Sequence, residues 1–322
     1  MERKWVRLAA PAVIALLVYG CVGWGIARGL ISEYYQVNLF LIGINIILAV
    51  TLNLINGFTG HLSLGHAGFM AVGAYTGVVV TMKLGLPLAF AVAAGMAAAA
   101  CAGFLIGLPT LRLRGDYLAI ATLGFGEIIR VLLENFEYLG GARGISGIPR
   151  TVNWTWLFWS VVLTLVLVRN FISSTHGRAC LAVRENELAA EMMGVNTTCY
   201  KVLAFVLGAA GAGLAGVLYA HYFYVILPDK FSFLLSFDVL VMVMVGGLGS
   251  LTGSCLGAVL LTLLSTLLQR IPEFRMVLYA LMLILVAIYR PHGLAGKREL
   301  SLDLLGRWMR RGGVARGAAH GG

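Results

Sequence analysis

The chain has 322 residues, 60% of them apolar and 12% charged, with a formal net charge of +10. Soluble domains carry about a quarter charged residues, so the composition excludes an ordinary water-soluble globule. The basic balance does not argue for nucleic acid, because the cations gather at Arg3, Lys4 and Arg7, between Arg169 and Lys201, and after Tyr289, as the positive-inside rule distributes them in membrane proteins.

About ten apolar segments follow one another, near 6–27, 36–55, 62–82, 86–108, 117–134, 154–172, 202–226, 234–247, 252–269 and 275–290. Most approach the roughly 20 residues that a helix needs to cross a hydrocarbon layer. Period-2 alternation is absent, so the spans are helices and not barrel strands. The expected fold is therefore an all-α, polytopic membrane bundle of about ten transmembrane segments. The first segment lacks a small-residue cleavage site and reads as a retained span. Six crossings bring the chain to a polar loop at 173–201, and four more bring it to a basic tail. Both termini and the loop are expected in the cytosol. Residues 1–290 form the transmembrane domain, and 291–322 are expected to be a disordered cytosolic tail. The eighth segment has about 14 residues, too few for an untilted crossing, and spans or re-enters.

Three runs repeat a small residue every fourth position: Gly95, Ala99, Gly103 and Gly107; Gly208, Ala212, Gly216 and Ala220; Gly249, Gly253 and Gly257. Such spacing lets helix backbones approach closely in lipid. Two glycine-rich stretches instead interrupt the apolar pattern. The first runs from Gly57 to Phe69 and includes Gly60, Ser63, Gly65 and Gly68. The second runs from Gly246 to Ala258 and includes Gly247, Gly249 and Gly253. Broken backbone at membrane depth survives only inside protein or beside a wet cavity, so both are candidate path-lining or hinge elements. Their separation of about 190 residues suggests a diverged internal repeat.

Ionisable residues inside spans are costly and worth naming. Glu127 and Arg130 are one helical turn apart and can pair, either as a structural lock or as part of a gate. Asp238 opens the eighth segment, as an interfacial residue or a cap. His61 and His66 stand five apart without a third ligand, a poor metal site. Cys21, Cys101, Cys180, Cys199 and Cys255 are scattered without metal or disulfide spacing. No nucleophile elbow, H-E-x-x-H or phosphate-cradling loop occurs, so no catalytic residue, metal or cofactor is expected on this chain, and any ATP must be bound by another subunit. Residues 181–195 read as a single amphipathic helix ending at Gly194. Arg184, Glu187 and Glu191 form its charged stripe, and Leu181, Leu188, Met192 and Val195 its apolar stripe. Such a helix suits a protein groove, or lies on the membrane or on its own bundle.

Leu188-Ala-Ala-x-x-x-Gly194 resembles the E-A-A-x-x-x-G loop through which ABC-importer permeases dock onto their ATPases. Ala189, Ala190 and Gly194 match; the family's glutamate is Leu188 here, with Glu187 just before it. Leu62-Ser-Leu-Gly-His-Ala-Gly-Phe-Met-Ala-Val-Gly-Ala-Tyr75 resembles the signature of branched-chain amino-acid permeases. Leu111-Arg-Leu-Arg-Gly-Asp-Tyr-Leu-Ala-Ile-Ala-Thr-Leu-Gly-Phe-Gly-Glu127 resembles the LivM type. Blocks at Gly140 to Ile148, Arg184 to Gly194 and Val245 to Gly253 agree, in order across residues 50–290. The resemblance implies a permease subunit in a bacterial inner membrane. Its partners would be a LivH-like permease, two ATPases that hold ATP and Mg, and an extracytoplasmic binding protein. The cargo would be a branched-chain amino acid or, in the same branch, urea, a short amide or an aromatic acid. Two other classes remain distinct: an ion-coupled carrier using Glu127, Arg130 and Asp238, and a membrane scaffold needing only the small-residue faces.

Overall fold

The computed structural model describes residues 16–111, 113, 115–268, 272–289 and 293–294. The N-terminal cations and the tail expected to be disordered lie outside these residues, apart from Gly293 and Leu294. Helices stand where the apolar runs place them. They are α1 Leu16–Ala27, α2 Glu33–Asn53, α3 His66–Met82, α4 Leu88–Thr110, α5 Asp116–Asn135, α6 Trp154–Ser173, α7 Thr175–Glu185, α8 Glu187–Met192, α9 Thr197–Phe223, α10 Phe233–Gly246, α11 Leu251–Leu267 and α12 Pro272–Tyr289. Four stretches, Glu33–Phe58, Leu88–Thr110, Trp154–Ser173 and Thr197–Phe223, are long and apolar enough to cross a membrane by themselves. The chain is a polytopic helical membrane protein.

Its centre is a slab of α3, α4 and α9, and small residues explain the closeness. A β-carbon on Gly73 of α3 would lie 2.3 Å from the Gly213 Cα of α9, and one on Gly216 would lie 2.0 Å from the Met70 carbonyl oxygen. On α4, Gly95 backs onto Val217 and the Gly73 carbonyl, Gly103 onto Ala209, and Gly107 onto the Phe205 ring. The helices thus meet backbone to backbone, as small-xxx-small spacing allows. A second layer of α2, α10 and α11 is joined by polar pairs inside the bundle. Asn45 donates to Thr262 Oγ1 at 2.8 Å, and Thr266 donates to Asn38 Oδ1 at 2.9 Å. α6 leans on α2, where Gly43 leaves room for Leu157.

The bundle has two distinct ends. At the strand end, Ile145–Ser146 pairs antiparallel with Val225–Ile226, and Phe40 stacks on Tyr222 at 3.7 Å. At the loop end sit α7 and α8. The single helix expected over 181–195 is two helices, because Asn186 adopts extended backbone (φ −158°, ψ 107°) and its side chain accepts the Ala189 N–H. An asparagine that caps a new helix N-terminus ends the previous one. The expected stripes therefore do not form: Arg184 and Glu187 turn inward, and Leu181 and Val195 are half-buried.

The short eighth segment neither spans by itself nor turns back. The chain leaves the strand end at Val225–Ile226 and descends through a 3-10 turn at Pro228–Phe231, whose Phe231 is buried against Tyr75 and Tyr219. It then enters α10 inside the bundle. α10 covers about 21 Å at helical rise and ends at the loop end. Its first N–H, on Phe233, is received by Glu127 Oε1 of α5 at 2.8 Å. Glu127 also pairs with Arg130 at 2.7 Å, and Arg130 reaches Glu134 and Asp229. The charges on α5 thus contact the start of α10 and the turn before it. Asp238 does not cap α10, as it was expected to if not interfacial. It is the sixth residue of that helix and lines a cavity of about 250 Å³ with Asn45, Lys230 and Tyr279.

Candidate functional site

Both glycine-rich interruptions lie at the loop end, and they touch. α2 does not stop at Asn53 but widens into a π-turn, Leu54–Phe58, the kind of helical irregularity that often marks functional positions. Gly57 is required there, because a β-carbon would fall 1.8 Å from Asn53 Oδ1 and 2.4 Å from the Gly249 nitrogen. The chain then runs without helix to Gly65. Asn56 holds this stretch by accepting the Ser63 N–H at 3.1 Å, and Thr122 Oγ1 accepts the Leu64 N–H at 3.0 Å. Gly65 and Gly68 back onto α5 at Thr122 and Gly126. These two predicted residues serve helix packing on α5 and stand apart from the contact between the breaks.

In the second interruption, α10 ends at Gly246, and Gly247 and Gly249 take positive φ (122° and 82°). Ser250 then caps α11 by accepting the Gly253 N–H at 3.1 Å. Gly246 packs against the Gly253 carbonyl, so those two close the α10–α11 corner. After α12 the chain returns to the same place. Leu294 N–H donates to the Val245 carbonyl at 2.9 Å, and Gly293 lies against Gly247.

The residue that joins the two breaks is Asn53, which is fully buried. Its Nδ2 donates to the Ser250 carbonyl at 2.9 Å and to Ser254 Oγ at 2.7 Å, and its Oδ1 accepts the Gly249 N–H at 2.9 Å. The sequence reading missed Asn53. Like Asn38 and Asn45 it is an amide in a largely apolar helix, and its place four residues before Gly57 was the signal that set it apart. Arg184 of α7 reaches the same junction: its Nη1 donates to the Gly57 carbonyl at 2.6 Å, and its stem lies against Gly60, whose φ is +74°.

Below the junction, α8 accounts for the Ala-Ala-x-x-x-Gly string residue by residue. Asn186 caps its start. Ala190 is buried. Gly194 (φ +83°) ends it, with the Gly194 N–H bonded to the Glu191 carbonyl and the Val195 N–H to the Ala190 carbonyl. This is a Schellman stop, which favours glycine at the left-handed position. Glu187 pairs with the buried Lys201 of α9 at 2.5 Å. Ala189 and Glu191 stay exposed, together with Leu188 (63%), Met192 (88%) and Met193 (83%). His61, packed near this pair, has its pKa lowered to about 4, first by burial and then by the Lys201 charge. His66 is buried, with Nε2 3.0 Å from Thr51 Oγ1. Ser63 Oγ is buried without a partner among the described residues.

The profile of the family described as the permease component of a branched-chain amino acid transport system matches residues 34–287. The chain belongs to this family. It is 38% identical to the high-affinity branched-chain amino acid transport system permease protein LivM of Salmonella typhimurium, over 72% of this chain and 63% of that one. It is 29% identical to LivH of the same organism, over 58% and 60%. The chain thus spans a little under two thirds of these curated relatives. A solved structure, PsaBC from Streptococcus pneumoniae in complex with Fab, aligns over 88% of this chain and 99% of its own at 19% identity, with a TM-score of 0.44.

Proposed function

We propose that this chain is a LivM-like subunit forming half of the path of an ATP-driven importer for branched-chain or related amino acids. In this reading a LivH-like subunit supplies the other half, two ATPases work from the cytosol, and an extracytoplasmic protein delivers the cargo. The observation that carries it is the loop end. A short, doubly capped helix presents Leu188, Met192 and Met193 outward while its flanking residues hold both glycine breaks behind it. A flexible methionine-rich surface suits a protein groove. The stretch 169–201 carries Arg169, Arg178, Arg184 and Lys201 and so belongs in the cytosol of a bacterial inner membrane. The breaks would act as a hinge at that end of the path, and α10, entering from mid-bundle, would complete the eighth of ten crossings. Engagement of Glu127 by Arg130 and the Phe233 N–H favours a lock over an ion-coupling role.

The test is reconstitution with the neighbouring permease, ATPases and binding protein in liposomes. ATP-dependent uptake of labelled leucine, isoleucine or valine is expected. Uptake driven by an ion gradient with this chain alone would replace the reading with a secondary carrier, and labelled urea, amides or aromatic acids in competition would narrow the cargo.

A further inference from the structure

Arg184 does not join the exposed face of α8 and is half-buried. It lies on α7, two residues before the Asn186 break, and its head is directed into the bundle. The stretch Glu33–Phe58 is the longest helical run ending at the loop end in this direction. Its last carbonyls lack intrahelical partners and carry the negative pole of the helix. A guanidinium at that pole makes a charge-assisted hydrogen bond, here 2.6 Å long to the Gly57 carbonyl. The same nitrogen lies beside the second break, since a β-carbon on Gly249 would be 2.8 Å from Arg184 Nη1 and 3.4 Å from the Gly57 oxygen. The Arg184 stem fills the space beside Gly60, 3.0 Å from where a β-carbon would stand. One side chain of the cytosolic loop therefore contacts three glycines from two interruptions almost two hundred residues apart, and all three lack the side chain that would push it away.

We infer that Arg184 is the positioning residue that ties the movement of α7–α8 to both glycine breaks at once. Displacement of α8 by a docked ATPase pulls the guanidinium from the Gly57 carbonyl and releases the Asn53–Gly249 junction beside it. Without Arg184, ATPases still dock on α8, but their cycle no longer moves the two breaks together. This rests on the importer reading for its direction of force, while the mechanical link itself rests on geometry alone.

Two measurements separate them. In lipid nanodiscs holding this chain without partners, Arg184→Met is expected to speed amide exchange at least tenfold at both 59–63 and 247–250, with α3, α4 and α9 unchanged. Exchange that rises at one break only, or at neither, overturns the link. In the reconstituted importer, Arg184→Met is expected to retain ATPase co-purification and ATP hydrolysis while leucine moved per ATP falls at least tenfold. Arg184→Lys, with a shorter and single-headed donor, is expected to fall between. Loss of ATPase co-purification would make Arg184 a docking residue and overturn the inference, as would uptake per ATP within twofold of the parent. Should Arg184→Met fail to fold, Arg184→Lys carries the same arms, with threefold faster exchange expected at both breaks and no change counting against the link. Failure of the parent complex to move leucine would sink the importer reading and leave the exchange result standing.

Discussion

In the slab of α3, α4 and α9, glycine removes a side chain so that two helix backbones can touch. At the junction of 57–60 with 246–249, it opens positive φ and lets polar groups meet. The first arrangement is mostly apolar, apart from the Thr81–His221 hydrogen bond between α3 and α9, and its contacts run along the helices. The second is held by one asparagine, one arginine and a few backbone N–H groups. Close-packed interiors have few alternative arrangements, whereas a small set of hydrogen bonds can be exchanged for another set at low cost. Close helix packing and a polar junction are thus both built from glycine, and the neighbours decide which results.

The sharpest way to break this comparison is to add bulk to the slab. Gly216→Leu places side-chain atoms where a β-carbon alone meets the Met70 carbonyl at 2.0 Å. Overpacking against backbone with no slack is expected to cost more than about 4 kcal/mol. The protein should be lost from the monodisperse peak on size exclusion, and a well-behaved variant would show that α9 can slide on α3. Asn53→Leu comes next. It leaves the Gly249 N–H without its partner and is expected to cost about 2–3 kcal/mol. Unlike the slab variant it should still fold, with faster amide exchange confined to 247–250 and with uptake lost. Exchange that quickens across α3 and α4 as well would erase the distinction between the two regions.

A smaller effect on stability is expected at α8. Leu188→Ser with Met192→Ser changes exposed side chains only, so unfolding should stay within about 0.5 kcal/mol of the parent. ATPase co-purification should nevertheless weaken. Undiminished capture would remove α8 as the docking surface and leave its exposed methionines without a role.

How much of this was legible beforehand differs between the same two regions. Apolar runs placed the helices, and small-residue spacing marked Gly95, Gly103, Gly208 and Gly216 as contact faces, because both signals are local. The junction is not local. Asn53 and Ser250 are 197 positions apart, and nothing in either neighbourhood names the other. The helical wheel over 181–195 misplaced Arg184 and Glu187 because it assumed an unbroken helix. Asn186 before Glu187-Leu-Ala-Ala was itself a start signal, and it would have separated α7 from α8. The start of α10 was hidden for a related reason: its first N–H is received by a carboxylate from α5 and not by a neighbour in sequence.

The last effect is confined to low pH and concerns the rim of the junction, where His61 lies near Lys201 and Glu187. Burial, assisted by Lys201, lowers its pKa to about 4 from an ordinary 6.5. The folded chain therefore binds this proton less readily than the unfolded chain does. Above pH 6.5 neither state is protonated and His61 contributes nothing to pH dependence. Below it the unfolded state takes up the proton first, so stability falls as pH drops toward 4. His61→Gln keeps a neutral polar side chain and removes the titration. Parent and variant should melt alike at pH 7.5, and by pH 4.5 the variant should hold its Tm better by a few degrees, on the order expected for about 1 kcal/mol. A parallel decline in both would mean that His61 reaches water in solution, and that the rim opens without waiting for α8 to move.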